Sequence, residues 1–126
     1  MTYRTFEEMP LWQEAHVFAV QVHEVSSSFP RQEDCGLTSQ LRRAAVSVSA
    51  NVAEAFGRYH YRDKLNFYCH SRGSLCELRS HLLYARDVGY VDPASFNPLV
   101  IQLDALLEQL NTVIATIRRR TQASEV

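Results

Sequence analysis

Apolar residues recur along this chain at alternating steps of three and four. Leu11, Ala15, Phe18, Val22, Val25 and Phe29 follow one another in that rhythm, which keeps them on one seam of a helix. The spacing predicts a first helix over about Pro10–Ser26, with Pro10 tolerated in the opening turn. Ser26-Ser27-Ser28-Phe29-Pro30 and the polar stretch to Gly36 end it. A second helix is expected from about Leu37 to Phe56. Gly57 and Arg58-Tyr59-His60-Tyr61-Arg62 then interrupt the pattern before Asp63, which reads as a cap or first-turn acid of a third helix. In that helix Phe67, Ser71, Ser74, Leu78, Leu82 and Ala85 recur, and it closes near Gly89. Asp92-Pro93 and Asn97-Pro98 each place a capping residue before a proline, so one short turn is expected ahead of a fourth helix. There Leu99, Leu103, Leu106, Leu110, Val113 and Ile117 repeat in the same rhythm as in the first. Four helices with seams near period 3.5 and short links predict an all-α fold, an antiparallel up-down-up-down four-helix bundle.

The second helix carries more than a core face. Leu37, Leu41, Ala44, Val48, Val52 and Ala55 cluster on one side at 100° per residue. Val46, Ala50 and Ala53 fall about 160–220° around. They are small enough for another backbone to approach, so the helix is expected to be covered twice. Between the faces runs a polar stripe of Arg43, Ser47, Asn51, Glu54 and Arg58, stacked by its steps of three and four. Val100, Leu107 and Ile114 add a second apolar row to the fourth helix. Both extra faces predict self-association, since uncovered they are an aggregation liability.

Length and composition narrow the class. With 126 residues, 46% of them hydrophobic, one domain spanning 1-126 is expected. No apolar run approaches the roughly 20 residues that cross a bilayer, and the first residues lack the basic start and apolar segment of a secretory signal. A cytoplasmic protein with no membrane partner is expected. Cys35, Cys69 and Cys76 contain no Cys-x-x-Cys pair. Cys69 and Cys76 lie about two helical turns apart, too far for a disulfide, so three reduced thiols are expected. The net charge of −1 is not that of a general nucleic-acid binder, so any RNA contact rests on local patches. Arg118-Arg119-Arg120 is the clearest, and it also complements a helix C-terminus.

Glu54 and Glu77 are a candidate carboxylate pair for acid–base chemistry, but both lie inside helices beside arginines and no nucleophile or oxyanion donor accompanies them in sequence. The expectation is no catalysis. Instead, Arg42 or Arg43 is expected to meet Glu54 and Glu77 in a largely buried ionic network. Removing Glu54 from it then costs about 3–5 kcal/mol. His70, Glu77 and His81 share one side of the third helix. A single Glu-x-x-x-His without a second copy does not make a di-iron site, so neither metal nor cofactor is expected. Gly73-Ser74 in mid-helix costs about 1 kcal/mol at the glycine, which predicts close packing of the second helix against it.

Phe29-Pro30, Gly36-Leu37-x-x-Gln40-x-Arg42-Arg43-Ala44-Ala45-Val46-Ser47-Val48-x-x-Asn51-Val52-Ala53-Glu54, Gly73-Ser74-x-x-Glu77-Leu78 and Gly89-Tyr90 together resemble a known family. It is the four-helix-bundle proteins encoded in intervening sequences of bacterial 23S ribosomal RNA genes. Trp12-x-x-Ala15 fits the same pattern, so the resemblance covers nearly the whole chain. The sequence departs from the family pattern at Ala55, where a glycine usually follows the glutamate, and at Tyr61, where a small capping residue is usual. The resemblance implies a bacterial cytosolic bundle that assembles as a homopentamer and is not an enzyme. A related branch is the accessory variability protein of diversity-generating retroelements, which binds a reverse transcriptase and RNA. Arg42, Arg43, Ser47, Asn51, Glu54, Arg58, Ser74 and Glu77 are the family-motif polar network. Arg118, Arg119 and Arg120 are the candidate RNA contacts, although complementing the helix C-terminus is the favoured reading of the run. Ribosomal or other structured RNA, or an RNA-associated protein, is the candidate partner. The alternatives are a structural oligomer that binds only protein and, less favoured, a small enzyme using Glu54 and Glu77.

Overall fold

The computed structural model describes residues 2–125. Four helices carry the fold: α1 (Pro10–Ser26), α2 (Leu37–Gly57), α3 (Tyr61–Asp87) and α4 (Pro93–Glu125). Short 3₁₀ turns at Phe6–Glu8 and Arg31–Glu33 precede α1 and α2. No strand occurs among the described residues. The helices pack in the cyclic order α1–α2–α3–α4, with α4 returning against α1, as the up-down-up-down pattern requires.

One apolar cluster fills the centre, with Phe18, Leu41, Val48, Leu75, Leu78, Leu82, Leu103 and Leu110 among its most buried members. The α2–α3 contact is made by small side chains. Ser71 is buried there and its hydroxyl donates to the Val48 carbonyl at 2.7 Å, while Ser74 meets Ser47. A side chain as short as serine reaches a neighbouring backbone only where two helices lie close.

The C-terminal ends of α1, α2 and α3 and the start of α4 are satisfied by recognisable devices, whereas among the described residues no side chain caps the starts of α1, α2 and α3. At the end of α1, Ser26 and Ser27 donate back to the His23 carbonyl and Ser28 donates to Val25. The Arg42 guanidinium brings positive charge to the same carbonyl end. It donates to Ser26 Oγ at 2.8 Å, the His23 carbonyl at 3.2 Å and Ser27 Oγ at 3.3 Å. Lys64 does the same for α2, with Nζ donating to the carbonyls of Ala55 at 3.0 Å and Phe56 at 3.2 Å. After α3, Gly89 adopts φ +83°. Tyr90 N–H reaches back to the Ala85 carbonyl and Gly89 N–H to Arg86, the paired bonds of a Schellman stop. Asp92 caps α4 by accepting from Ser95 N–H at 2.8 Å.

Several boundaries differ from the pattern-based reading. The α2–α3 break is shorter than expected, because α3 already begins at Tyr61 and Asp63 is its first-turn acid. No separate turn precedes the fourth helix: α4 starts at Pro93 and runs through Pro98. Proline there removes a donor to the Ala94 carbonyl, and both residues face solvent, where water replaces the lost bond.

The seams also shift. Tyr68 and Leu75, rather than Phe67 and Ser74, enter the core from α3, and Ile114 replaces Val113 in α4. A straight helix turns 3.6 residues per turn, so a 3.5-residue seam drifts. Ile114 is therefore not part of an outward row. Val100 and Leu107 pack half-buried against the core, leaving Ile101 as the large apolar side chain that stands out on α4. By length and composition the segment Pro93–Ala123 could cross a membrane, which corrects the expectation that none could. Its Leu99, Leu103, Leu106 and Leu110 are nevertheless core residues of the bundle.

Candidate nucleic-acid interface

The polar stripe of α2 lies along the groove between α2 and α3. Ser47 and Ser74 share a hydroxyl–hydroxyl hydrogen bond of 2.8 Å, and Asn51 Nδ2 donates to the Ser47 carbonyl and hydroxyl at 2.8 and 3.0 Å. Arg43 donates to Gln40 at 2.6 Å and meets Glu77 across the groove at 3.4 Å. One turn along α3, His81 Nε2 lies 3.8 Å from the same carboxylate. Glu54 pairs with Arg58 at 3.4 Å within α2.

This is not the buried network expected of Arg42, Arg43, Glu54 and Glu77. The Arg43 and Glu77 side chains are 62% and 43% exposed, and Arg58 and Glu54 46% and 57% exposed. Among the described residues no further helix covers the groove, so water screens both pairs. Arg42 leaves the network altogether to close α1. Glu54 and Glu77 each belong to a different ion pair. His70 lies edge-on to Phe67, and among the described residues no group of three His, Cys, Asp or Glu side chains is placed to hold a metal.

Gly73 overturns a second expectation. A Cβ built on it meets nothing within 4 Å, because Gly73 points away from α2 while Ser74 and Ser71 make the close contact. On α2, Val46 is 58% exposed, Ala50 is exposed and Ala53 half-buried. The small face is thus open within one chain. Ala50, Ala53 and Gly57 line a depression of about 600 Å³ together with Phe6, Phe56 and Arg58.

The structure joins two segments far apart in sequence. α3 and α4 run antiparallel in a register marked by Arg79–Asp104 at 2.6 Å and Arg72–Asn111 at 3.1 Å. Carried to the end of the bundle, that register brings Arg118, Arg119 and Arg120 beside the α2–α3 turn. The Arg120 guanidinium lies 5.7 Å from the Tyr61 ring centroid, and Arg58 lies 4.6 Å over Phe67. The same turn carries Arg62, His60 and Tyr59, all exposed. Tyr59 is 90% exposed with its ring edge-on to His60. Arg58, Arg62 and Arg118–Arg120 thus form a basic end, with Asp63, the Arg58-paired Glu54, and Glu7 and Glu8 of the 3₁₀ turn that packs beside Gly57 as its nearby acids. The opposite end gathers Glu33, Asp34, Asp87 and Asp92 around the turns, together with Arg31 and the Asp87-paired Arg86. There Tyr90 donates to Glu33 at 2.9 Å and packs on Phe29. That hydrogen bond holds the Tyr90 phenol above its ordinary pKa, and burial raises that of Tyr68.

Sequence reasoning missed this basic end because Arg58-Tyr59-His60-Tyr61-Arg62 reads as a helix breaker. The available signal was its alternation of cations with aromatic rings, a pattern suited to nucleic acid.

Fold and surface define a class: an antiparallel four-helix bundle with an open small-residue face, a polar α2–α3 groove and one basic, aromatic end. The chain belongs to the 23S rRNA-intervening sequence protein family, whose model matches residues 7–112. Among solved structures, it is similar to a protein of unknown function from the S23 ribosomal protein family of Bacteroides thetaiotaomicron. That likeness has a TM-score of 0.75 at 17% identity and covers 82% of this chain and 97% of the other. It shows the same fold. No curated protein matches the chain significantly.

Proposed function

We propose that this protein is a non-enzymatic helical module of the cytoplasm that assembles with copies of itself and binds structured RNA, ribosomal RNA included, through its basic end. The observation that carries the RNA reading is the meeting of Arg118–Arg120 with the Arg58–Arg62 turn. Five arginines at one end form a local patch that the net charge of −1 conceals. Phosphate contacts from such a patch release counterions, so affinity must fall steeply with salt. The test is retardation of a structured RNA across a salt series with the intact chain. Binding that weakens with salt, and weakens further when Arg118 and Arg119 become alanine, supports the reading. No retardation at low salt overturns it and favours a partner that is protein alone. Co-purification from the host extends the same test to an RNA-associated protein, a reverse transcriptase included. The non-enzymatic reading is supported by Glu54 and Glu77 standing in separate solvent-exposed ion pairs, Glu54 with Arg58 and Glu77 with Arg43.

Self-assembly is supported by a different observation, the open face of Val46, Ala50, Ala53 and Gly57 on α2. Small side chains let a neighbouring subunit's helix approach closely. The family resemblance favours five subunits in a closed ring. Light scattering at micromolar concentration tests this: a mass near 14.5 kDa with no larger species refutes assembly. Ala50→Arg should shift an assembled species toward that mass while leaving the helix content intact.

A further inference from the structure

Resting on the RNA reading above, we propose that the Arg58–Arg62 turn is a stacking platform for unpaired nucleotides, so that the RNA bound is a single-stranded loop or tail rather than a continuous duplex. The argument starts from Tyr59. Its phenol ring is 90% exposed, although it stands in a three-residue connection between two long helices where a polar residue meets the local needs of the backbone. Burial therefore does not account for a large aromatic here. His60 supports it edge-on, with centroids 5.1 Å apart and planes at 89°. With Tyr59 90% exposed, its ring stays accessible to a base beside this contact.

The cations around it have the complementary arrangement. Arg58 and Arg62 flank the aromatic residues in sequence, and Arg118, Arg119 and Arg120 approach from α4 through the Arg120–Tyr61 contact. Lys64 is already committed to closing α2. An exposed aromatic ring in a turn that also carries arginines suits a ligand that offers a flat base and a phosphate within one nucleotide. In A-form duplex RNA the bases are stacked on one another and the deep groove is closed to side chains. A duplex can therefore use the arginines but not the ring, whereas unpaired bases can use both.

The test uses the intact chain and fluorescence anisotropy with two labelled RNAs. One is a mixed-sequence single strand long enough to reach across the basic end, and the other is that strand annealed to its complement. The single strand should bind at least several-fold more tightly. Tyr59→Ala should weaken single-strand binding about tenfold, while Tyr59→Phe, which keeps the ring, should stay within about twofold. Because Tyr59 carries no charge, its loss should leave the salt dependence unchanged, whereas Arg118→Ala with Arg119→Ala should flatten it. Tyr59 is nearly free of packing, so unchanged melting of Tyr59→Ala confirms that the effect is not one of folding. Equal or tighter binding of the duplex, or an unaltered single-strand affinity in Tyr59→Ala, overturns the platform and leaves the RNA reading in place. Binding of neither RNA at low salt overturns both.

Discussion

Gly73→Ala isolates what the structure adds to the sequence. A glycine within a helix costs about 1 kcal/mol relative to alanine, because its backbone loses more freedom on folding. In sequence the residue looks like a close-contact glycine, which would make alanine a clash. The structure says the reverse. Nothing lies within 4 Å of the added methyl group, Gly73 is exposed, and its φ is not in the left-handed region. Alanine therefore keeps the backbone geometry, displaces no neighbour and restricts the unfolded chain. Stability should rise by about 1 kcal/mol. For a domain of 126 residues that corresponds to about 4 °C in melting temperature. Far-UV circular dichroism melts of both proteins, paired with light scattering, provide the assay. An unchanged or lower melting temperature refutes the reasoning. A lower one accompanied by loss of a larger species locates Gly73 in a subunit contact instead.

Glu54→Ala should cost less than about 1 kcal/mol, because its pair with Arg58 is about half exposed and screened by water; a loss of 3 kcal/mol or more, of the order expected for buried pairs, in a denaturant titration would restore the buried network. Arg42→Ala should cost more, about 1–2 kcal/mol, since it strips the end of α1 of a cation and three hydrogen bonds. Arg42→Lys should recover only part, as an ammonium cannot match the guanidinium fork, and a silent Arg42→Ala melt contradicts this account. Tyr90 and Tyr68 have raised pKa values, Tyr90 mainly through its bond to Glu33 and Tyr68 through burial. Stability from a neutral phenol is complete below the unfolded-state value of 10.0 and is lost as pH rises through the folded value. Melting temperature should thus fall in the alkaline range beyond that value, and less steeply in Tyr90→Phe; an equally steep fall in that variant speaks against the linkage.

Periodicity determined the four helices and most of the core, because a seam that repeats near the helical turn can be buried on only one side. It placed Leu41, Val48, Leu78, Leu82, Leu103 and Leu110 correctly. It could not resolve the drift that exchanges Val113 for Ile114, since neighbouring positions differ by less angle than the width of an apolar face. Helix ends were legible where a local residue makes the stop, as at Asp92 and Gly89. They were not where a distant side chain supplies it, as Arg42 and Lys64 do. The membership of the polar stripe could be read from spacing, and Arg43–Glu77 and Ser47–Ser74 do meet. Its burial could not, because exposure depends on whether another element covers the groove. The same limit applies to Gly73, whose surroundings belong to its neighbours rather than to its own helix. The basic end is the clearest case. Arg58–Arg62 and Arg118–Arg120 are each visible as short runs, but electrostatic potential adds in space rather than along the chain, and only the antiparallel register of α3 and α4 brings the two runs together.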